Sequence, residues 1–134
     1  MVESDSEARL ATAGHRLTGP RREVLDAVRR LPGPFTVEEL AAKTPAVGRA
    51  TVFRTVKLLQ EAEVICRLVL EDGGIRYELS RGGHHHHLIC RECGVVTDFS
   101  DPELDALIER NAQSARFALS GHSLELYGLC PACR

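Results

Sequence analysis

The chain has 134 residues, 43% hydrophobic and 27% charged, with a formal net charge of -2, a size that suits one ordinary domain or two very small ones. No apolar run approaches the roughly 18 residues of a membrane helix, and the opening MVESDSEARLATAGHR lacks the basic start and apolar stretch of a signal peptide, so a cytoplasmic location with no membrane partner is expected. Thiols stay reduced in that compartment, which makes the five cysteines metal ligands or reactive groups rather than a disulfide framework. The charge is uneven: residues 1–62 carry 10 Lys/Arg against 8 Asp/Glu, and residues 63–134 carry 7 against 11. Basic character sits in the first half, and all five cysteines with five of the six histidines sit in the second.

From Thr18 the chain reads TGPRREVLDAVRRLPGPF. Val24, Leu25, Val28 and Leu31 recur at helical spacing, Pro20 suits a first turn, and LPGP ends the segment. Thr36 followed by Glu39 is a capping-box pattern that opens a short helix through Leu40 and Ala41. TPAVG at 44–48 is a turn, and the segment from Arg49 to about Ala62 places Val52, Val56, Leu59 and Ala62 on one face. VICRLVLEDGGIRYEL then gives two β-rich runs around an Asp-Gly turn, a hairpin. Three helices followed by a hairpin outline a winged helix-turn-helix. Beyond SRGG at 80–83, a strand is expected through the histidines and a second at GVVTDFS. Next comes a helix capped by Ser100 or Asp101, with Pro102 in its first turn and Leu104, Leu107 and Ile108 on a buried face. A last strand lies in HSLELYGLC. The expected fold is therefore α+β: a winged-helix DNA-binding domain over 1–80, a hinge at 81–83, and a small α/β domain over 84–134.

The chemistry concentrates in the second half. Cys90-x-x-Cys93 and Cys130-x-x-Cys133 are two thiolate pairs, each able to bind one edge of a tetrahedral Zn²⁺ at about 2.3 Å. The 36 residues between them span a helix and its strands, so one ion could tie the ends of the domain. A pair of redox dithiols is the alternative, disfavoured because two such motifs would be needed and neither follows a βαβ pattern. In a strand, side chains alternate, so His84 and His86 face one way and His85 and His87 the other, and one run can feed two sites. A single shared His-Cys site, or an exposed loop without function, stays open. Cys66 alone reads as a small apolar residue, Glu78 and Asp105 as solvated carboxylates, and His122 as a surface histidine; the company of the histidine run makes each a ligand candidate.

In the first half, GRATVFRTVKLL offers Arg49, Thr51, Arg54, Thr55 and Lys57 on the exposed side of the third helix. The bland reading is a solvated helix face. The functional one is a recognition helix in the major groove, where Arg bonds guanine edges or phosphates and Thr contacts phosphate or a thymine methyl. Arg16, Arg21 and Arg22 add backbone contacts that position without specifying.

Taken in order, RLTGPR, RATVFRTVKLL, EDGGIRYEL, HHHHLICRECG and GHSLELYGLCPAC resemble the ferric uptake regulator family of bacterial metal-dependent repressors, from about His15 to Arg134. The resemblance implies a homodimer on palindromic double-stranded promoter DNA, with a C-terminal dimerisation domain and metal binding at the domain junction. By the family's pattern Cys90, Cys93, Cys130 and Cys133 hold structural zinc. His84, His86, Asp105 and His122 form a site in the dimerisation domain, while His85 and His87 fall at a regulatory hinge site with Glu78 as acidic ligand. Pro34 and Phe35 stand where iron-type members place a histidine, and Cys66 stands where zinc-type members place an Asp. Leu79 and Ser80 replace the zinc-type cysteine. The hinge set is then Cys66, Glu78, His85 and His87, which suits Zn²⁺ better than Mn²⁺ or Fe²⁺. Zinc is the first choice of corepressor, with an iron, manganese or peroxide sensor as the alternative. Phe53 replaces the usual Tyr of the recognition helix and keeps thymine-methyl packing. A zinc enzyme is the rival from another class. A nucleobase deaminase requires His-x-Glu and Pro-Cys-x-x-Cys, which this chain lacks, and four thiolates leave no position for a catalytic water, so no enzymatic activity is expected.

Overall fold

The computed structural model describes the backbone of residues 2–80 and 84–134, with side chains from residue 5 onward. The chain divides into two compact units, Met1–Gly82 and Gly83–Arg134. The hinge expected at 81–83 lies outside the described residues.

The first unit contains α1 (Val2–Thr12), α2 (Gly19–Arg30), α3 (Val37–Lys43), α4 (Arg49–Glu61), β1 (Ile65–Val69) and β2 (Ile75–Leu79). α2 starts where its sequence directs it: the Thr18 hydroxyl accepts from the Arg21 amide, Pro20 occupies the first turn, and Arg29 and Arg30 sit in the last turn against the negative end of the helix dipole. Its apolar stripe buries Val24, Leu25, Ala27 and Val28. In α3 the capping box is complete, with Thr36 Oγ1 accepting from the Glu39 amide at 3.0 Å and Glu39 Oε2 accepting from the Thr36 amide at 3.3 Å. α4 buries Val52, Val56, Leu58 and Leu59. These stripes meet in one core with Phe35, Leu40, Val64 and Ile65.

The wing is an antiparallel hairpin running from Ile65↔Leu79 to Val69↔Ile75. Gly73 makes its turn possible, because φ of 88° there is left-handed backbone that a side chain would strain. Phe35 adds a single bridge to β2: its amide and carbonyl exchange hydrogen bonds of 2.8 Å with Tyr77, and the two rings lie 6.2 Å apart. One helix went unforeseen. α1 is polar along most of its length and shows no clear stripe, yet Leu10 inserts into the core at 1% exposure. Arg9 Nη1 fastens the helix by donating to the carbonyls of Glu63 at 2.7 Å and Ser80 at 3.0 Å.

The second unit contains β3 (His86–Cys90), β4 (Val96–Phe99), α5 (Pro102–Ser114) and β5 (Glu125–Gly128). The sheet order is β4-β3-β5, antiparallel on one side of β3 and parallel on the other. Parallel neighbours need a crossover, here β4 and α5 together. The cap of α5 is Asp101, which accepts from the amides of Glu103 and Leu104, whereas the Ser100 hydroxyl donates to the His84 carbonyl at 3.0 Å. Two expectations need correction. The strand begins at His86, so His84 and His85 precede it. Leu104, Leu107 and Ile108 do share a face of α5, but Leu104 and Ile108 are only half-buried and Leu107 is 46% exposed, because a three-stranded sheet with one helix does not cover that face. Among the described residues no helix is long and apolar enough to cross a membrane.

Two substitutions separate cap from core. Leu25→Ala, at a fully buried position, is expected to cost about 2–5 kcal/mol, and Thr36→Ala about 1 kcal/mol. Urea unfolding of the full chain followed by circular dichroism measures both, and equal losses would contradict this ranking.

Candidate metal centres and nucleic-acid interface

Two tight turns bring the four second-unit cysteines together. β3 ends at Cys90, and the chain reverses so that the Gly94 amide returns to the Cys90 carbonyl at 3.0 Å; φ of 77° at Gly94 permits the reversal. The C-terminal pair repeats the device, with the Cys133 amide donating to the Cys130 carbonyl at 2.9 Å. Parallel register sets Cys90 beside Gly128, just ahead of Cys130. All four sulfurs lie within 4.8 Å of one another, and Cys93 Sγ is 3.7 Å from Cys130 Sγ. A tetrahedron with arms of about 2.3 Å has edges of about 3.8 Å, so the cluster fits one zinc ion. The amides of Cys93 and Cys130 hold the Cys90 thiol down at about 6. The Cys93 thiol is lowered by the Val95 amide but raised more by its neighbours Cys90 and Cys130, for a net rise. Hydrogen bonding with Cys130 and Cys90 pushes Cys133 up to about 12.

At the other end of β3, His84, His86, Asp105 and His122 converge. Asp105 Oδ1 lies 2.8 Å from His86 Nε2, 3.5 Å from His84 Nε2 and 3.7 Å from His122 Nε2, and the last two nitrogens are 2.9 Å apart. The hydrogen bond from His86, followed by the nearby imidazoles, lowers the Asp105 carboxyl below its usual range. His86 Nδ1 is buried and finds no hydrogen-bond partner among the described residues. Three imidazoles and a carboxylate in this arrangement offer a divalent cation an N₃O donor set. Asp105 is therefore long enough to reach all three rings.

The remaining candidates divide between the units. In the first, Cys66 pairs with Glu78 across the wing, and its thiol donates to Glu78 Oε1 at 3.9 Å. In the second, the rings of His85 and His87 lie edge to face, 4.9 Å apart. Burial lowers the His87 pKa, partly offset by Asp98, whose carboxylate is 3.7 Å from His87 Nε2; the net effect favours the neutral imidazole, the form that binds metal. Asp98 escaped the sequence reading. The signal that reveals it is hairpin register, which sets it opposite His87.

On α4, Arg54 and Lys57 are exposed and Phe53 is 42% exposed. Thr51 is half-buried and accepts from Arg54 Nη2 at 3.2 Å. Arg49 projects from the first turn with its Cζ 5.2 Å from the Phe53 ring centroid and its Nη2 2.6 Å from the Glu38 carboxylate. Thr55 needs correction: it is 3% exposed. It shares the buried stripe with Val52, Val56 and Leu59, and its hydroxyl is satisfied by the Thr51 carbonyl at 2.7 Å, so it is not available to DNA. Ahead of α2, Arg16 is exposed and its carbonyl accepts from Arg21 Nη1 at 2.7 Å. Arg22 pairs with Glu7 at 3.3 Å.

The ferric uptake regulator family model matches residues 12–127. A ferric uptake regulation protein of Neisseria meningitidis serogroup A is 32% identical over 139 residues, covering 100% of this chain and 96% of its own. Among solved structures, the ferric uptake regulator of Vibrio cholerae is 34% identical, with a TM-score of 0.62 over 94% of this chain and 99% of that one. A zinc uptake regulator complexed with zinc and DNA is 25% identical, with a TM-score of 0.80 over 96% of this chain and 90% of that one.

The thiol pKa values set a pH dependence. Cys93 and Cys133 hold their protons at pH 7 in the metal-free chain, and a thiophilic ion must displace them. Zinc affinity of the four-sulfur cluster should therefore rise steadily from pH 6 to 9 in competition with a chromophoric chelator. A flat profile would show that the thiols are already ionised.

Proposed function

The chain belongs to the ferric uptake regulator family of metal-responsive transcriptional regulators, and on that premise we propose that it is a zinc-responsive repressor. In this reading a homodimer binds palindromic promoter DNA through α4 when a regulatory Zn²⁺ is held by ligands from both units. The observation that carries the choice of metal is the pairing of Cys66 with Glu78 on the wing. A thiolate beside a carboxylate, combined with the imidazoles of His85 and His87, makes a soft, low-coordinate donor set of the kind zinc favours. Asp98 extends that set with a further oxygen. When bound, the metal would supply a link between the wing ligands and the β3 ligands.

Cys90, Cys93, Cys130 and Cys133 are read as a permanently filled zinc site that closes the second unit, and His84, His86, Asp105 and His122 as a second cation site within it. The exposed apolar side chains of that unit support dimerisation: Leu107, Phe117, Leu126, Tyr127 and Leu129 are 37–70% exposed and offer apolar surface that a second copy would cover. In the dimer, two α4 helices would meet half-sites one helical turn or a multiple apart. Arg54, Lys57, Arg16 and Arg21 supply cations for phosphates, and Arg49, Thr51 and Phe53 groups for base edges. Iron is the second reading, favoured by the full-length likeness to a ferric uptake regulation protein.

Chelated protein titrated separately with Zn²⁺, Fe²⁺ and Mn²⁺ at fixed salt, against a duplex enriched by the protein from a random pool, tests the metal. Zinc should tighten DNA binding about 5- to 150-fold, the usual range of such couplings. A response to Fe²⁺ or Mn²⁺ at concentrations where Zn²⁺ is inert would replace zinc with that metal. Cys66→Ser should lose most of the zinc response and still retain tightly held zinc by mass spectrometry, whereas Cys93→Ser should lose that zinc and unfold at lower temperature. Retention of the full response by Cys66→Ser would remove the thiolate from the switch.

A further inference from the structure

Arg49 sits where helix electrostatics disfavours it. It is the first residue of α4, Gly48 gives no side-chain cap, and the first turn contains no acid. A helix N-terminus carries about half a positive charge, so a guanidinium there gains nothing from its own helix. Its compensation comes from outside: the Glu38 carboxylate, 2.6 Å from Nη2, and the Phe53 ring, 5.2 Å from Cζ. Both ends of the ion pair are open to solvent, with side-chain exposures of 65% for Arg49 and 60% for Glu38, and such pairs contribute little to stability.

We propose that Glu38 is a specificity-determining residue for DNA binding, holding Arg49 over Phe53 and withholding it from the phosphate backbone. The inference rests on α4 being the helix that enters the major groove. Glu38 occupies Nη2, which leaves the rest of the guanidinium to meet a base edge. A guanine presents O6 and N7 as a matched pair of acceptors, and a thymine methyl packs on an aromatic ring; the Arg49–Phe53 stack therefore reads a thymine next to a guanine. A phosphate that reached the remaining guanidinium donors would approach the Glu38 carboxylate, which repels it, whereas a neutral base edge would not be repelled. Glu38 thus weakens sequence-independent binding more than binding to the correct step. An acid in the first turn of α3 also favours that helix through its dipole, but this affects stability and leaves base preference unchanged.

The test compares the wild type with Glu38→Gln, which keeps shape and removes the charge, on two probes. One is a pool of randomised duplexes, sequenced after enrichment by the zinc-loaded full chain. The other is a fixed mixed-sequence duplex titrated with salt. Glu38→Gln should lose about tenfold discrimination at one base step, bind the fixed duplex several-fold more tightly at low salt, and show a salt slope steeper by about 0.9, one added phosphate contact. In Glu38→Gln/Arg49→Gln the slope should return to the wild-type value, because the added contact is Arg49's own. An unchanged base preference in Glu38→Gln would overturn the proposal, as would an extra slope that survives in the double variant. A wild type that enriches no duplex when loaded with Zn²⁺, Fe²⁺ or Mn²⁺ in turn would instead overturn the DNA-binding reading on which this inference rests.

Discussion

The parallel pairing of β3 with β5 is the constraint on which the second unit depends. Parallel strands cannot be joined by a tight turn, so the chain must travel through β4 and α5 before β5 can lie beside β3. That detour has two chemical results. It brings Cys130 and Cys133 to the end of β3 where Cys90 and Cys93 already stand, and it carries Asp105 on α5 and His122 ahead of β5 to the opposite end, against His84 and His86. Two donor clusters are thus built from residues far apart in sequence, and both are positioned by one strand. A shift of β5 against β3 would disturb both at once.

The first unit follows a different logic, in which an apolar core aims a polar helix. Val52, Thr55, Val56 and Leu59 of α4 face inward, and Phe35, Leu40 and Leu25 hold them. What remains outward is Arg49, Ala50, Phe53, Arg54, Lys57, Gln60 and Glu61, with Thr51 at the margin. In the proposed role as base readers, these side chains depend on a helix that is held firmly. The capping box of α3, the Phe35 bridge to Tyr77 and the Arg9 bonds to Glu63 and Ser80 all serve to fix the elements around α4.

Much of this was legible in the sequence because local chemistry and tertiary structure agree. Thr18 with Pro20, Thr36 with Glu39, Asp-Gly-Gly at the wing and Asp101 with Pro102 each announce an element end, and each element lies where its punctuation puts it. The failures have specific causes. α1 went unseen because its docking depends on a single large apolar residue, Leu10, and on one arginine reaching backbone carbonyls, neither of which leaves a periodic trace. Thr55 was misplaced because a threonine looks polar in composition, although its spacing of three from Val52 and four from Leu59 belongs to the buried stripe. Asp98 became visible only through strand register, since nothing local ties it to a histidine eleven residues earlier in the chain. The α5 stripe was correctly seen as apolar, but periodicity cannot tell whether the surface that covers it belongs to the same chain.

Four identical side chains in a row carry no positional information of their own. If β3 slid by one residue, imidazoles would still appear on both faces, and the histidines could not register the error. The ends of the strand do register it. Ile89 is buried at 6% exposure and its neighbour Leu88 is 43% exposed, so a slip would exchange an inward isoleucine for an outward leucine and turn Cys90 away from the other sulfurs. The aliphatic and thiol residues downstream act as the phase reference for the histidine run, and the assignment of each imidazole to its cluster is settled several residues away from the imidazoles themselves.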